Sequence, residues 1–413
     1  MQKPLFLLCL VLVALLLPQH AHASGYAVYE WSARGTALGG AMVARDADPS
    51  SVAYNPANIT DLSGAQVQVG ATAIKPAATM DFKSASQTDR DFSDAIWGLP
   101  TAYYTQQLND HYWFGFGIFS RVGLGTEYAG GDNWAGRYNC SYAGIQSLTF
   151  NPNLAMKFSD KFTMAVGVEA TYLRFLYDST IPGAEIKQEI DADGWAYGLN
   201  AGARYKPYDW LAFGLAWRSQ IDLKVDGNVD YTRMSSSSPA TIGQGGISGT
   251  EPLPESITFG VMVKPVDRLS LEADVVWTRW SAYEALTMDY NPSLLGVYPS
   301  VSKKKDWNDT WRFQFGAEYA LTDSVDLRAG YVYDQSPVNG TYEDFAVPCS
   351  DRQIVTVGAG WKVDQNWVLD VFYGYLWMTD RHYDARPADY IYGEVDREDA
   401  HAHMAGLSVT YKF

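Results

Sequence analysis

Apolar and polar residues alternate strictly over long stretches of this chain. Because successive strand side chains point to opposite faces, a period of two dictates extended strands. Leu269, Leu271, Ala273, Val275 and Trp277 form one such face against Ser270, Glu272, Asp274 and Thr278. Trp311, Phe313, Phe315, Ala317 and Tyr319 repeat it, as do Val325, Leu327, Ala329, Tyr331 and Tyr333, and then Trp367, Leu369, Val371, Tyr373, Tyr375 and Trp377. The last segment sets Leu407, Val409, Tyr411 and Phe413 against Gly406, Ser408, Thr410 and Lys412. After Ala23 no apolar run approaches the roughly 18 residues of a spanning helix, so a helical membrane protein is excluded.

Short polar turns such as Asn109-Asp110-His111, Ser159-Asp160-Lys161, Val266-Asp267-Arg268, Thr322-Asp323-Ser324 and Asp364-Gln365-Asn366 take turns with longer loops. Fourteen segments are predicted, from 65–82 through 97–108, 112–126, 145–158, 162–178, 194–206, 210–226, 254–265, 269–290, 307–321, 325–336, 351–363 and 367–383 to 399–413. An even number with tight turns at one end predicts an all-β, closed antiparallel barrel. In hydrocarbon every backbone N–H and C=O must pair within the protein, and closure removes the unpaired edge. Aromatic residues make up 14% of the chain and charged ones only 19%. Trp113, Trp210, Trp277, Tyr333 and Trp377, at predicted strand ends, suit the two membrane interfaces. A soluble ligand-binding barrel is the competing reading, but strands this long match membrane thickness better.

Residues 1–23 read as a secretory leader, with Lys3, the apolar run Leu5–Leu17 and the cleavage signal Ala21-His22-Ala23. Cys9 leaves with it, and Cys140 and Cys349 remain, both in predicted outer loops. In an oxidising compartment they form one disulfide or none. Residues 24–63 lack the alternation and are too polar and irregular to face lipid. A segment of this size before the first strand fits the lumen as a plug, leaving 64–413 as the wall.

Within that segment Asp48-Pro49-Ser50-Ser51-Val52-Ala53-Tyr54-Asn55-Pro56-Ala57-Asn58-Ile59-Thr60 resembles the hatch of the FadL family of outer-membrane transporters for long-chain fatty acids and other hydrophobic compounds, with Asn55-Pro56-Ala57 as its Asn-Pro-Ala motif. The resemblance continues at Gly123-Leu124-Gly125-Thr126-Glu127-Tyr128, at Arg312, at Arg328-Ala329-Gly330 leading to Asp334-Gln335-Ser336-Pro337, and at Tyr411-Lys412-Phe413. It implies a bacterial outer-membrane barrel closed by its hatch, which takes up long-chain fatty acids passively and releases them sideways at a kinked third strand. Aromatic hydrocarbons are the alternative cargo. Gly115, Gly117, Gly123 and Gly125 crowd that strand, and Gly123 and Gly125 are expected to mark its bend. Asn55 is expected to shape the hatch by turning the chain and capping backbone groups.

Arg312 and Arg328 fall on lumen-facing parity. Each either holds a cargo carboxylate or pairs with neighbouring acids and the plug. His401 and His403 share a strand face but have no evident third ligand, so no metal or other cofactor is expected. The acidic stretch Asp380–Asp399 is either a solvated loop or a place for divalent ions shared with lipopolysaccharide phosphates. A net charge of −16 disfavours nucleic acid. No G-x-S-x-G elbow, P-loop or C-x-x-C pair is present, so no enzyme is expected, an outer-membrane lipid hydrolase being the one enzymatic alternative. A general porin is the stronger rival, but a porin does not need the plug. Phe413 ends the chain in the manner of the signal read by the barrel assembly machinery. The expected form is a monomer in contact with membrane lipid and lipopolysaccharide.

Overall fold

The computed structural model describes residues 25–83, 90–234, 240–294 and 298–413, so the leader expected over Met1–Ala23 lies outside the described residues. Fourteen antiparallel strands span the wall. They are β1 (Ala65–Phe82), β2 (Trp97–Gln107), β3 (Tyr112–Phe119, resumed as Gly123–Glu127), β4 (Tyr142–Ser159), β5 (Phe162–Ile181) and β6 (Ile186–Tyr208). There follow β7 (Leu211–Arg218, resumed as Ile221–Arg233), β8 (Ala240–Leu253 and Ser256–Val266), β9 (Leu269–Thr278 and Ala285–Leu294) and β10 (Tyr298–Lys304 and Thr310–Ala320). The circuit ends with β11 (Val325–Asp334), β12 (Arg352–Lys362), β13 (Trp367–Met378) and β14 (Val395–Lys412). β1 pairs with β14 from Gln66↔Lys412 to Phe82↔Val395, which closes the sheet.

The alternation read from sequence is the alternation of the wall. Val166, Leu199, Phe259, Val357 and Leu407 are exposed on its outer face, whereas Glu272, Asp274, Arg312, Arg328 and Asp370 are buried on its inner face. Several strands run further than periodicity suggests. β6 begins at Ile186 rather than 194, β7 runs on to Arg233, and β14 begins at Val395 rather than 399. In these extensions the pattern inverts: Ile190, Val225, Val229 and Ile247 point inward to a large aromatic cluster, while Asp191, Asp193, Lys224 and Asp226 face water. Beyond the bilayer the outside is aqueous and the apolar residues must turn inward. A strand that keeps its period but exchanges its faces reads as a loop from periodicity alone.

Residues 25–62 lie inside the barrel. A short helix, Ala33–Ala37, starts where the Ser32 hydroxyl accepts from Gly35 N at 3.0 Å. It ends in a left-handed turn at Gly39, with Gly40 N donating to Gly35 O and Gly39 N to Thr36 O, so its last carbonyls are satisfied. A second helix, Ser51–Tyr54, leads into a 3-10 turn over Pro56–Asp61. The wall is thinned where this segment touches it. A Cβ on Gly214 would stand 2.1 Å from Val43 O, and one on Gly330 2.2 Å from Gly39 N.

Candidate functional site

Among the described residues, the β-ladder is interrupted between β2 and the resumed part of β3. β2 pairs with β3 only from Ala102↔Ile118 to Gln107↔Trp113, and the resumed part of β3 pairs only with β4, from Gly123↔Gln146 to Glu127↔Tyr142. The edges at Trp97–Thr101 and Gly123–Glu127 therefore face each other without rungs among the described residues. Towards the extracellular end the gap is bounded by Phe92 bridging Tyr128 and by Ser93 N donating to Glu127 O at 2.8 Å. The break itself falls at Ser120, Arg121 and Val122. On its lumen side the start of the inner segment supplies the missing partner: Gly123 N donates to Tyr26 O at 2.9 Å and Val28 N to Arg121 O at 3.0 Å.

Neither Gly123 nor Gly125 has a left-handed φ, so backbone freedom is not why glycine stands there. Both leave room. A Cβ on Gly123 would stand 3.2 Å from Val28, and one on Gly125 only 2.2 Å from the Trp97 ring. Behind them lies a cavity of about 510 Å³ that runs from Arg352, Leu376, Met378, Arg397 and Met404 on the lumen side to Ile96 and Pro100 beside the lipid. A cavity of this size falls within the usual range for ligand pockets.

Arg312 and Arg328 do not line that cavity. Arg312 is paired with Asp334 at 2.7 Å and lies over the Tyr29 ring of the inner segment at 4.4 Å. Arg328 joins Glu318 and Asp370, each at 2.6 Å, and Glu318 in turn holds Arg34 of the inner segment. Of the two alternatives, the pairing with neighbouring acids is the one both arginines make. A buried guanidinium already satisfied by carboxylates has no reason to exchange them for a cargo acid.

Two arginines line the cavity: Arg352, which pairs with Asp334 at 2.8 Å, and Arg397, which periodicity did not reach. Arg397 is fully buried, and no carboxylate lies within ion-pair distance of it among the described residues. It donates to Pro348 O at 2.7 Å, to Thr379 O and to the Ser350 hydroxyl, while its Nε has no partner among the described residues. It sits on the inward parity of β14, but periodicity had ended that strand two residues short of it.

Asn55 is buried and ties three pieces of chain together. Its Oδ1 accepts from Ala57 N at 3.1 Å, and its Nδ2 donates to Val43 O at 2.7 Å and to Ala203 O of the wall at 3.0 Å. Pro56 opens the 3-10 turn that Asn55 caps, and Ala57 is fully buried with its carbonyl accepting from Thr163 at 3.1 Å. Asp274 accepts from Met42 N and Val43 N at 3.1 and 3.3 Å. Glu272 accepts from Ala44 N at 2.7 Å and from Arg45 at 2.9 Å. Arg204 holds Ala44 O, Asp46 and Asp61, and Arg218 holds Ala53 O.

Cys140 and Cys349 are buried free thiols, so of the two alternatives it is no disulfide that the structure has. Cys140 lies under Trp134, whose Nε1 donates to its carbonyl at 3.0 Å, and burial pushes its thiol up. The Cys349 sulfur is directed at Ser350 O. Trp113 is also corrected. It faces inward and donates to Leu62 O at 2.7 Å, so it holds the plug rather than a lipid interface. His401 and His403 sit on β14, where His403 meets the Tyr373 hydroxyl at 2.7 Å and His401 the carbonyl of Asp399 at 2.7 Å. Asp81, Asp396 and Glu398 cluster on the outer surface, but Lys83 already pairs with the first two. Phe413 is exposed at the tight-turn rim, with its amide donating to Ala65 O at 3.0 Å.

Comparison with known proteins matches this architecture. Residues 14–413 fit the family model described as "Outer membrane protein transport protein (OMPP1/FadL/TodX)". The long-chain fatty acid transport protein of Escherichia coli O6:H1 is 24% identical over 91% of this chain and 92% of its own. The crystal structure of a Pseudomonas aeruginosa FadL homologue superposes with a TM-score of 0.80 at 21% identity, covering 94% of this chain and all of that one. That of the Pseudomonas putida toluene transporter TodX gives 0.74 at 16% identity over 95% and 99%. With a closed wall, a filled lumen and a match along nearly its whole length, the chain belongs to the FadL/TodX family, non-enzymatic transporters of hydrophobic compounds in the bacterial outer membrane.

Proposed function

We propose that the protein imports long-chain fatty acids passively and releases them sideways into the bilayer through the gap between β2 and β3. The supporting observation is the cavity itself: lined mainly by apolar side chains, reaching the exposed Ile96, and carrying Arg397, a buried guanidinium without a carboxylate partner among the described residues. An acid headgroup completes that site by a charge-assisted hydrogen bond, whereas an arene leaves it unused. An acyl chain is solvated poorly in a water-filled pore, and an opening in the wall delivers it to apolar surroundings without crossing water. In this reading residues 1–23 are a leader, 24–63 a hatch and 64–413 the barrel. Gly123 and Gly125 keep the lateral opening clear, and Phe413 serves insertion by the assembly machinery.

The test is uptake of labelled oleate, toluene and a small sugar by cells lacking their own transporter, with the native protein and with Arg397→Leu. Oleate entry without sugar leakage is expected. A hydrogen bond to a charged group contributes roughly 1.5–3 kcal/mol, so Arg397→Leu is expected to lower oleate uptake about tenfold or more and leave toluene unchanged. Equal losses for both cargoes would make Arg397 structural, and toluene entry alone would reassign the cargo to aromatic hydrocarbons.

A further inference from the structure

The break in β3 is a bulge with a charged side chain at its centre. Phe119 pairs with Thr149 and Gly123 with Gln146, so three residues of β3, Ser120–Val122, stand opposite two of β4. An extra residue bends the strand that carries it, and here it turns β3 away from β2. Arg121, the middle residue, is buried and reaches across to β5, β7 and β8. Its Nη1 donates to Glu169 of β5 at 2.7 Å, and its Nη2 to Pro254 O at 3.2 Å and Ser219 O at 3.4 Å. Ser219 and Pro254 stand at breaks in β7 and β8, where carbonyls leave the ladder and need other donors. One guanidinium thus ties three interrupted strands together.

Glu169 is shared. Buried, it also pairs with Arg218 of β7, and among the described residues neither guanidinium has another carboxylate within ion-pair distance. Arg218 in turn donates to Ala53 O in the short helix Ser51–Tyr54 and lies over the Trp31 ring at 5.3 Å. Trp31 closes the circuit, its Nε1 donating to Ser120 O, inside the bulge, at 2.7 Å. The bulge is thus held from the lumen, by Arg121 and by the seated inner segment.

We infer that Arg121 is a positioning residue for cargo release: braced by Glu169, its side chain draws the bulge inward and keeps the edge Gly123–Glu127 from zipping onto Trp97–Thr101. Because Glu169 also holds Arg218, the brace is complete only while the inner segment is seated. Its bearing on transport rests on the proposed release through that gap; the brace itself does not.

The test is hydrogen exchange of the inserted protein in lipid nanodiscs, read at residues 97–99 and 124–127, for the native chain, Arg121→Met and Glu169→Gln. Removing a merely structural contact speeds local exchange. Arg121→Met is expected to slow it about tenfold or more instead, because the freed edges gain rungs. It is also expected to lower the maximal rate of oleate uptake several-fold at unchanged half-saturation, since Arg121 does not line the cavity. Glu169→Gln is expected to slow the same amides and to speed exchange at 51–54, where Arg218 loses its hold. Arg121→Lys, which keeps the charge beside Glu169 without the fork of donors, shifts the same amides less in the same direction, and stands in should Arg121→Met not insert. Unchanged or faster exchange at 97–99 and 124–127 in variants that insert overturns the brace. Slowed exchange together with no oleate uptake by the native chain upholds the brace and strikes the transport reading.

Discussion

The two ends of the inner segment are held in different ways. The stretch from Met42 to Leu62 is bound to the wall by buried charge and amide contacts: Glu272 and Asp274 take four donors, Arg204 spans Ala44, Asp46 and Asp61, Asn55 reaches Ala203, and Trp113 reaches Leu62. The leading stretch, Tyr26–Val28, is held to β3 by two backbone hydrogen bonds and by aromatic packing. Directional contacts between buried charges resist sliding, because a partial displacement leaves an unpaired charge, whereas apolar contacts are exchanged gradually. The far end is thus built as an anchor, and the end beside the gap is the one displaced at lower cost.

Deleting residues 25–62 should abolish the contrast altogether, turning a closed barrel into one that conducts in planar bilayers and admits sugars. Unchanged conductance would mean that something else closes the lumen. Glu272→Ala strips Arg45 of its buried partner, which typically costs roughly 3–5 kcal/mol. Hydrogen exchange of residues 42–46 should then speed up by about a hundredfold or more, while residues 26–29 change little. Equal acceleration at both ends would erase the distinction between anchor and gate.

Gly125→Val should collide with the Trp97 ring and narrow the gap, lowering uptake several-fold without opening the lumen to sugar. Adding Trp97→Ala should restore it; no rescue would place the defect elsewhere. The smallest effect concerns the loop before β12, where burial pushes Asp351 up to about 7. A carboxyl raised on folding contributes stability that is full below about pH 4 and lost as pH climbs through about 7. Protection of residues 338–349, corrected for intrinsic exchange, should therefore decline modestly between pH 5 and pH 8, and a flat profile would show that the Tyr333 and Ser336 contacts to Asp351 hold equally well in either state.

The wall was legible because lipid imposes one rule on every strand. Leu269 to Trp277 and Trp367 to Trp377 announce their outer faces without knowledge of any neighbour. Where that rule lapses, so does legibility. Ile190 and Val225 keep the period but face inward, and Arg397 lies just outside the stretch of β14 that hydrophobic alternation marks. Inner-face parity placed Arg312 and Arg328 correctly in the lumen, yet their partners, Asp334, Asp370 and Glu318, are cross-strand neighbours fixed by register and closure rather than by local spacing. Trp113 shows the same limit: an aromatic residue at a strand end reads as an interface anchor until the face it lies on is known.

The described inner segment joins the wall covalently at the rim where Phe413 meets Ala65. A segment that enters a ring from the rim it is joined to is not linked to it. β1 can zip to β14 before the segment enters, and the segment can then be fed in through the periplasmic mouth, or drawn out by it, without parting a single rung of the ladder. Closing the barrel and filling it are thus topologically independent events, and their order is set by relative rates rather than by the path of the chain.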